Sequence, residues 1–295
     1  MRKGPRRIIS NNDLCEGAPR SGPRPGFDMN IRAQIKKRLT FEQRRRIIRA
    51  WVELRATFAP GRIRARNLPK LPNRRKWRTD LSNALLWSCQ GGTLAYQYRD
   101  IPMLKQPFEV ALYMRLIWET KPGTIIEIGT HPGGAAVWMS DLLETFGIDG
   151  QIVSIDLQPP APAYHPRNVS FMRGDAHDLA PTLLRELLAQ FRRPWLIIED
   201  AEHHYKSTLA VMRFFDPLLQ AGEYLVIEDA DILLTGQDRD RDGGPARSIA
   251  EFLRDRGDSY EIDARYCDSA KKIETAAREN SMYRSCPAKR ARSFE

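Results

Sequence analysis

From residue 124 onward, short continuous apolar runs alternate with longer segments whose apolar residues recur at helical spacing. The runs Thr124–Ile128, Gln151–Ile155, Val169–Met172, Trp195–Ile198 and Tyr224–Ile227 predict strands, and the last two, continuous apolar runs bounded by polar residues, predict strands buried on both faces. Segments near 134–146, 179–191 and 206–219 predict the intervening helices, and a helix at about 245–256 precedes a last strand from Tyr260 to Tyr266. Pro107 opens an earlier helix, in which Val110, Met114, Ile117 and Trp118 are expected to face inward, and Lys121-Pro122-Gly123 ends it. This alternation predicts an α/β fold: a doubly wound, mostly parallel sheet with helices on both faces. Ligands of such sheets bind beyond the carboxyl ends of the strands, at the switch point.

Ahead of residue 81 the pattern changes. Residues 1–28 are rich in Gly, Pro and Arg, which predicts a disordered basic arm, and Met29 is a second candidate start. Thr40-Phe41-Glu42-Gln43 has the form of a capping box, and Ile47, Ile48, Trp51, Leu54 and Phe58 follow at helical spacing. Arg44, Arg45, Arg46, Arg49 and Arg55 occupy the other face. Such a helix ordinarily packs its apolar stripe on the body or on another subunit. It can also lie on an anionic membrane surface; only its charge speaks for nucleic acid. Residues 59–80 read as a linker, and residues 29–80 together form a helix-and-linker unit.

Charge sharpens this division. Residues 1–80 hold 23 Lys/Arg against 6 Asp/Glu, and residues 81–295 hold 24 against 31, so a +17 front and a −7 body hide within the net +10. A basic front favours anionic partners and reports association rather than fold. Cys15, Cys89, Cys267 and Cys286 form no C-x-x-C pair, which argues against a zinc knuckle or a disulfide framework and fits a reducing cytoplasm. No run of about 18 apolar residues suggests a membrane span, and the amino terminus lacks an apolar export core. The expectation is a cytoplasmic protein, at most peripheral at the membrane.

The chemistry concentrates at strand ends. Trp195-Leu196-Ile197-Ile198-Glu199-Asp200 and Tyr224-Leu225-Val226-Ile227-Glu228-Asp229 both end in acidic pairs. Carboxylates crowded at one sheet edge repel unless a cation or proton compensates, which points to a divalent metal. Glu127-Ile128-Gly129-Thr130-His131-Pro132-Gly133-Gly134 forms a turn whose glycines admit a ligand close to the backbone. It lacks the G-x-G-x-x-G spacing and suits a cationic, hydroxyl-rich ligand such as S-adenosylmethionine better than a pyrophosphate. Asp156 is placed to meet ribose hydroxyls and Asp175 an adenine amino group. Taken singly, each Asp is more often a cap or turn residue; acids at three successive strand ends favour a nucleoside.

With these residues in view, the stretch from about Tyr96 to Cys267 resembles the rhamnosyl O-methyltransferase and cephalosporin hydroxylase family, whose members have the Rossmann-like class I methyltransferase fold. The likeness is carried by Ile101-Pro102-Met103-Leu104-Lys105-Gln106-Pro107, Glu127-Ile128-Gly129 with Gly133-Gly134, Asp200-Ala201-Glu202-His203, and Tyr224 to Asp229. It implies that residues 81–268 are an S-adenosylmethionine-dependent methyltransferase domain and that the cofactors are S-adenosylmethionine and Mg²⁺. It further implies Asp200, Glu228 and Asp229 as metal ligands and His203 as catalytic base, with Glu127, Gly129, Thr130, Gly133, Gly134, Asp156 and Asp175 around the cofactor. The implied reaction methylates a hydroxyl of a sugar or polyol, in a small molecule or a glycolipid, and a homo-oligomer is compatible with it.

Two other readings stay open. An iron-dependent hydroxylase of the same family would need adjacent His203 and His204 to share one metal, which neighbouring histidines rarely do. A non-catalytic binder would be recruited to lipid or nucleic acid by its basic arm. The chain also departs from the family: Ala135 stands where relatives often have a small hydroxyl residue, and a divergent basic tail, 269–295, replaces their closing strand. That substitution leaves a sheet edge in question. The loops Pro159–Pro166 and Thr235–Pro245 carry no readable code; Asp238, Asp240 and Asp242 lack the terminal Glu of a calcium loop, and their segment reads as a mobile lid.

Overall fold

A computed structural model describes residues 6–10, 40–58, 69–71, 77 and 82–267, apart from 163, 231 and 236. The first half comprises β1 (Arg6–Ser10), α1 (Phe41–Phe58), α2 (Asn83–Thr93), β2 (Gln97–Tyr98), β3 (Ile101–Pro102), α3 (Pro107–Thr120), β4 (Thr124–Ile128) and α4 (Gly134–Thr145). Then come β5 (Gln151–Asp156), β6 (Val169–Arg173), α5 (Arg185–Leu188), β7 (Trp195–Glu199), α6 (Tyr205–Phe215) and β8 (Tyr224–Ile227). The chain continues through α7 (Ile232–Thr235), a 3₁₀ turn (Gln237–Arg241), α8 (Gly244–Arg256), β9 (Tyr260–Ile262) and α9 (Ala264–Cys267).

Seven strands form one sheet in the order β6-β5-β4-β7-β8-β1-β9, and every pairing is parallel. β4, β7 and β8 are buried along their whole lengths, as their unbroken apolar runs require. Alternate residues feed two cores. Ile126, Ile128, Ile197 and Leu225 pack with Met212 and Phe215 of α6 and Ile249 and Phe252 of α8. Ile125, Leu196, Ile198 and Val226 pack with Leu116 and Ile117 of α3 and Met139 and Leu143 of α4. From β4 the strand order runs outward to β5 and β6 on one side and to β7 and β8 on the other. The switch point therefore lies between the tips of β4 and β7.

Several expectations need correction. The arm is not featureless: Arg6–Ser10 forms β1, with Ile8 opposite Leu225 and fully buried. Composition averaged over 28 residues hid the short Ile8-Ile9 run. β1 separates β8 from β9, which do not pair with each other, so it covers a strand edge that would otherwise be open. Arg7 Nη1 donates to Tyr224 Oη at 2.8 Å, and Asp263 N donates to Ile8 O at 3.0 Å. In the expected linker, Trp77 is 3% exposed, belongs to the same core cluster as Ile8, and donates its indole N–H to Pro69 O at 2.8 Å. The rest of the arm, Met29 and the tail 269–295 lie outside the described residues.

Helix details also shift. The segment 179–191 keeps only the single turn α5, and the last strand stops at Ile262, after which Asp263 accepts from the Tyr266 and Cys267 amides to start α9. In α3 the buried residues are Glu109, Tyr113, Leu116 and Ile117, while Met114 and Trp118 are exposed. Glu109 accepts from the Gln106 amide at 2.7 Å and Tyr113 donates to Glu228, so interior polar partners set the helix rotation. The α1 capping box forms as expected, with Thr40 N donating to Gln43 Oε1 at 2.9 Å and Gln43 N to Thr40 Oγ1 at 3.2 Å. Its apolar stripe packs on the body only in part: Ile47 is 56% and Leu54 58% exposed, whereas Ile48 lines the cavity described below and Val52 on the neighbouring face is buried. Trp51, itself half-exposed, meets Trp87 of α2 edge to face at 5.3 Å, and the side chains of Arg55 and Phe58 lie outside the described set. No helix among the described residues is long and apolar enough to cross a membrane.

Candidate active site

Backbone hydrogen bonds carry the sheet's register past the strand ends. Gly129 N donates to Ile155 O and Asp200 N to Ile128 O, both at 2.8 Å, and Glu228 N donates to Glu199 O at 3.0 Å. The side chains that follow β4, β7 and β8 are thereby delivered to one edge. Gly129 (φ +101°) approaches the tip of β7 so closely that a Cβ would lie 2.1 Å from Asp200 O. A Cβ on Gly134 would lie 2.4 Å from Pro102 O, so the turn is wedged between β3 and β7. Its glycines are needed for close packing as much as for any ligand.

A cavity of about 450 Å³ opens at this edge, lined by every site residue expected from the sequence except Gly133 and Gly134. On one side Glu127, 1% exposed, accepts from Ser154 Oγ, which also meets Thr130 Oγ1 at 2.6 Å, while Glu127 Oε1 is buried without a partner. Burial pushes the Glu127 carboxyl up to about 8 although Lys105 and Ser154 favour its charge. Asp156 accepts from the amides of His131 (3.0 Å) and Gln158 (2.9 Å), and Asp175 from that of His177 (2.8 Å). Both aspartates thus perform the ordinary turn role while lining the cavity.

The other side holds the acidic cluster. His203 Nε2 lies 3.0 Å from Asp229 Oδ2 and 4.0 Å from Asp200 Oδ1. Both His203 (φ +57°) and Asp229 (φ +52°) adopt the left-handed backbone, which non-glycine residues hold only when their surroundings over-determine it. Burial lowers the imidazole's proton affinity, but Asp229, Asp200 and Glu199 more than reverse this, raising it to about 9. Asp229 shows the converse: burial pushes its carboxyl up, and the charge and hydrogen bond of His203 bring it down to about 2. Ligand atoms of Asp200, His203 and Asp229 all lie within 4.8 Å of one another, a group that could hold a cation. Glu228, 3% exposed, sits beside this group with Oε1 accepting from both Lys105 Nζ and Tyr113 Oη. Burial and the charge of Asp200 raise its carboxyl to about 7.

His204 does not join the cluster; its Nδ1 accepts from Lys206 N at 3.4 Å and caps α6. The two-histidine iron arrangement is therefore not assembled among the described residues. In the segment read as a lid, Arg241 lines the cavity, and Asp242 bonds Arg247 at 2.5 Å instead of converging with its neighbours. Lys105, Tyr113, Glu109 and Glu199 are all buried; the sequence marked Glu199 only as part of an acidic pair and Lys105 only within the Ile101–Pro107 motif, and gave Tyr113 and Glu109 no role.

The strand-tip acids, the D-x-x-H spacing and the wedged glycine turn all lie within residues 92–284, which match the family described as Rhamnosyl O-methyltransferase/CmcI. The chain belongs to this family. It is thus an enzyme of a methyltransferase family, built on the Rossmann-like α/β sheet described above. The Mycobacterium leprae (strain TN) rhamnosyl O-methyltransferase is 29% identical over 173 residues, covering 56% of this chain and 74% of that protein. The protein of the same description from Mycobacterium bovis (strain BCG) is 29% identical over 139 residues, 46% of this chain and 57% of its own length. A solved structure of CmcI with SAH is 29% identical over 53% of this chain and 70% of that one, with a TM-score of 0.41. An apo TDP-rhamnose 3'-O-methyltransferase of calicheamicin biosynthesis is 21% identical, covering 50% and 70%, with a TM-score of 0.36. At these scores the solved structures add nothing to the family assignment.

Proposed function

We propose that this protein transfers the methyl group of S-adenosylmethionine to a hydroxyl of a sugar or other polyol, with Mg²⁺ held by Asp200, Glu228 and Asp229 and with His203 as the base. The observation that carries this reading is the convergence of Asp200, His203 and Asp229 within 4.8 Å of one another beyond the tips of β7 and β8, with Glu228 lining the same cavity as they and the Glu127–Gly129 turn do. Family membership supports the reaction class, and the rhamnosyl acceptor named for the relatives supports a sugar.

The donor set fits a hard divalent cation. All three proposed ligands are carboxylates, the oxygen donors Mg²⁺ prefers, and burial together with the neighbouring Asp200 charge raises the Glu228 carboxyl, a cost that a bound cation would offset. Once bound, the metal would ease ionisation of an acceptor hydroxyl on it. His203 Nε2 donates to Asp229, which holds the ring, so in the neutral imidazole Nδ1, buried without a hydrogen-bond partner, is the nitrogen that receives that proton. The imidazole must be neutral to do so, so turnover rises with pH and levels off no higher than about 9. Glu127, Gly129, Thr130, Gly133 and Gly134 shape the cofactor side, with Asp156 at the ribose and Asp175 at the adenine; the cavity brings donor and acceptor together.

The acceptor is a glycolipid or a glycosylated small molecule, and the protein acts in the cytoplasm. Exposed Ile47 and Leu54 on an arginine-rich helix support a peripheral station on an anionic membrane. Calorimetric titration with S-adenosylmethionine, with and without Mg²⁺, tests the central claim. Cofactor binding is expected under both conditions, with methyl transfer dependent on Mg²⁺. His203→Ala should bind cofactor normally and lose about 10²–10⁴-fold in transfer; unchanged turnover would remove His203 as the base.

A further inference from the structure

Building on the metal reading above, we propose that Lys105 is a positioning residue of the metal site. Its single buried ammonium ties Asp200 to Glu228 and sets the charge of the carboxylate cluster to suit one divalent cation. Lys105 is 2% exposed and lines the cavity. Its Nζ donates to Asp200 Oδ2 and to Glu228 Oε1, which belong to the tips of two different strands. A buried ammonium is tolerated only where such partners compensate its desolvation.

The attachment point of Lys105 is itself anchored. Lys105 N donates to Met103 O at 2.8 Å, and one residue later Gln106 begins α3 with its capping box. The side chain therefore reaches the cluster from a fixed base, outside the sheet that supplies the carboxylates. Tyr113, from the second turn of α3, donates to the same Glu228 oxygen, and its ring lies 5.7 Å from the ammonium. Lys105 engages one oxygen of each carboxylate, and the other oxygen of Asp200 is the one that faces His203 at 4.0 Å. With His203 neutral, as its role as base requires, and the three carboxylates ionised, the cluster and its one ammonium carry a formal −2, which a single divalent ion neutralises. Without the ammonium, Asp200 and Glu228 repel in the empty site, and of the two donors only the Tyr113 hydroxyl still holds the Glu228 oxygen. Partners that orient metal-ligating carboxylates in this way typically contribute about 10–100-fold to metal affinity.

Mn²⁺ binding to the full-length protein tests this independently of turnover, by calorimetry and by the electron paramagnetic resonance spectrum of the bound ion. Wild type is expected to bind one Mn²⁺ per chain. Lys105→Met should weaken that binding about 10–100-fold and leave affinity for S-adenosylmethionine intact. Lys105→Arg, which keeps the charge in a different shape, should bind Mn²⁺ more tightly than Lys105→Met and with an altered spectrum. Wild-type or tighter Mn²⁺ affinity in Lys105→Met overturns the proposal, because the ammonium would then merely compete with the ion. If Lys105→Met does not fold, a wild-type spectrum in Lys105→Arg overturns it instead. A wild-type protein that binds no Mn²⁺ removes the metal reading itself, an outcome separate from any difference among variants.

Discussion

Glu127 illustrates how a residue visible in the sequence acquires its chemistry only in the fold. Its position before Gly129 marked it for the cofactor side, but burial is what lifts its carboxyl from 4.5 to about 8. The folded state keeps a proton that the unfolded chain releases, so Glu127 costs stability as pH rises from 4.5 toward 8, by about 1.4 kcal/mol per pH unit. Glu127→Gln removes this contribution. Denaturant titrations in chelator across that range should show the variant's advantage over wild type growing with pH; parallel curves would mean that Glu127 titrates normally. Gly129 makes a second residue-scale prediction. Gly129→Ala must place a Cβ 2.1 Å from Asp200 O at a φ of +101°. A loss of about 2–4 kcal/mol is expected in the same titrations, together with weakened Mn²⁺ binding, because the displaced backbone carries a proposed ligand.

At the scale of elements, β1 overturns an expectation and α1 meets its own only in part. β1 comes from an arm whose composition predicts disorder, yet Ile8 is fully buried and opposite Leu225 in the strand that leads to Glu228. Ile8→Ala should therefore destabilise the whole fold by about 2–4 kcal/mol, measured as a lower midpoint of unfolding. An effect within about 0.5 kcal/mol is what a solvated arm would give. α1 has the periodicity of a packed helix but leaves Ile47 and Leu54 in solvent. The double substitution Ile47→Ser, Leu54→Ser should leave the unfolding midpoint unchanged and abolish sedimentation with anionic vesicles; retained sedimentation would show that the stripe does not meet lipid.

Across the whole molecule, charge and topology divide the work. The +17 front and the −7 body make any attraction to anionic surfaces a property of the first 80 residues, so vesicle binding should fall steeply with added salt while cofactor affinity hardly changes. The sequence by itself determined the doubly wound sheet, the strands from Thr124 to Ile227, and the placing of Glu127, Asp200, Glu228 and Asp229 at or next to strand ends, because strand burial and strand-end position follow from local periodicity, whereas His203 was marked only by the family resemblance. Only tertiary structure decided that β1 enters the sheet, that α3 turns Tyr113 inward, and that Lys105 stands between two carboxylates. Lys105 lies 95 residues from Asp200 and 123 from Glu228, and Ile8 is paired with Leu225 across most of the chain. Such contacts depend on which distant groups need a partner once water has been excluded, and no local pattern records that need.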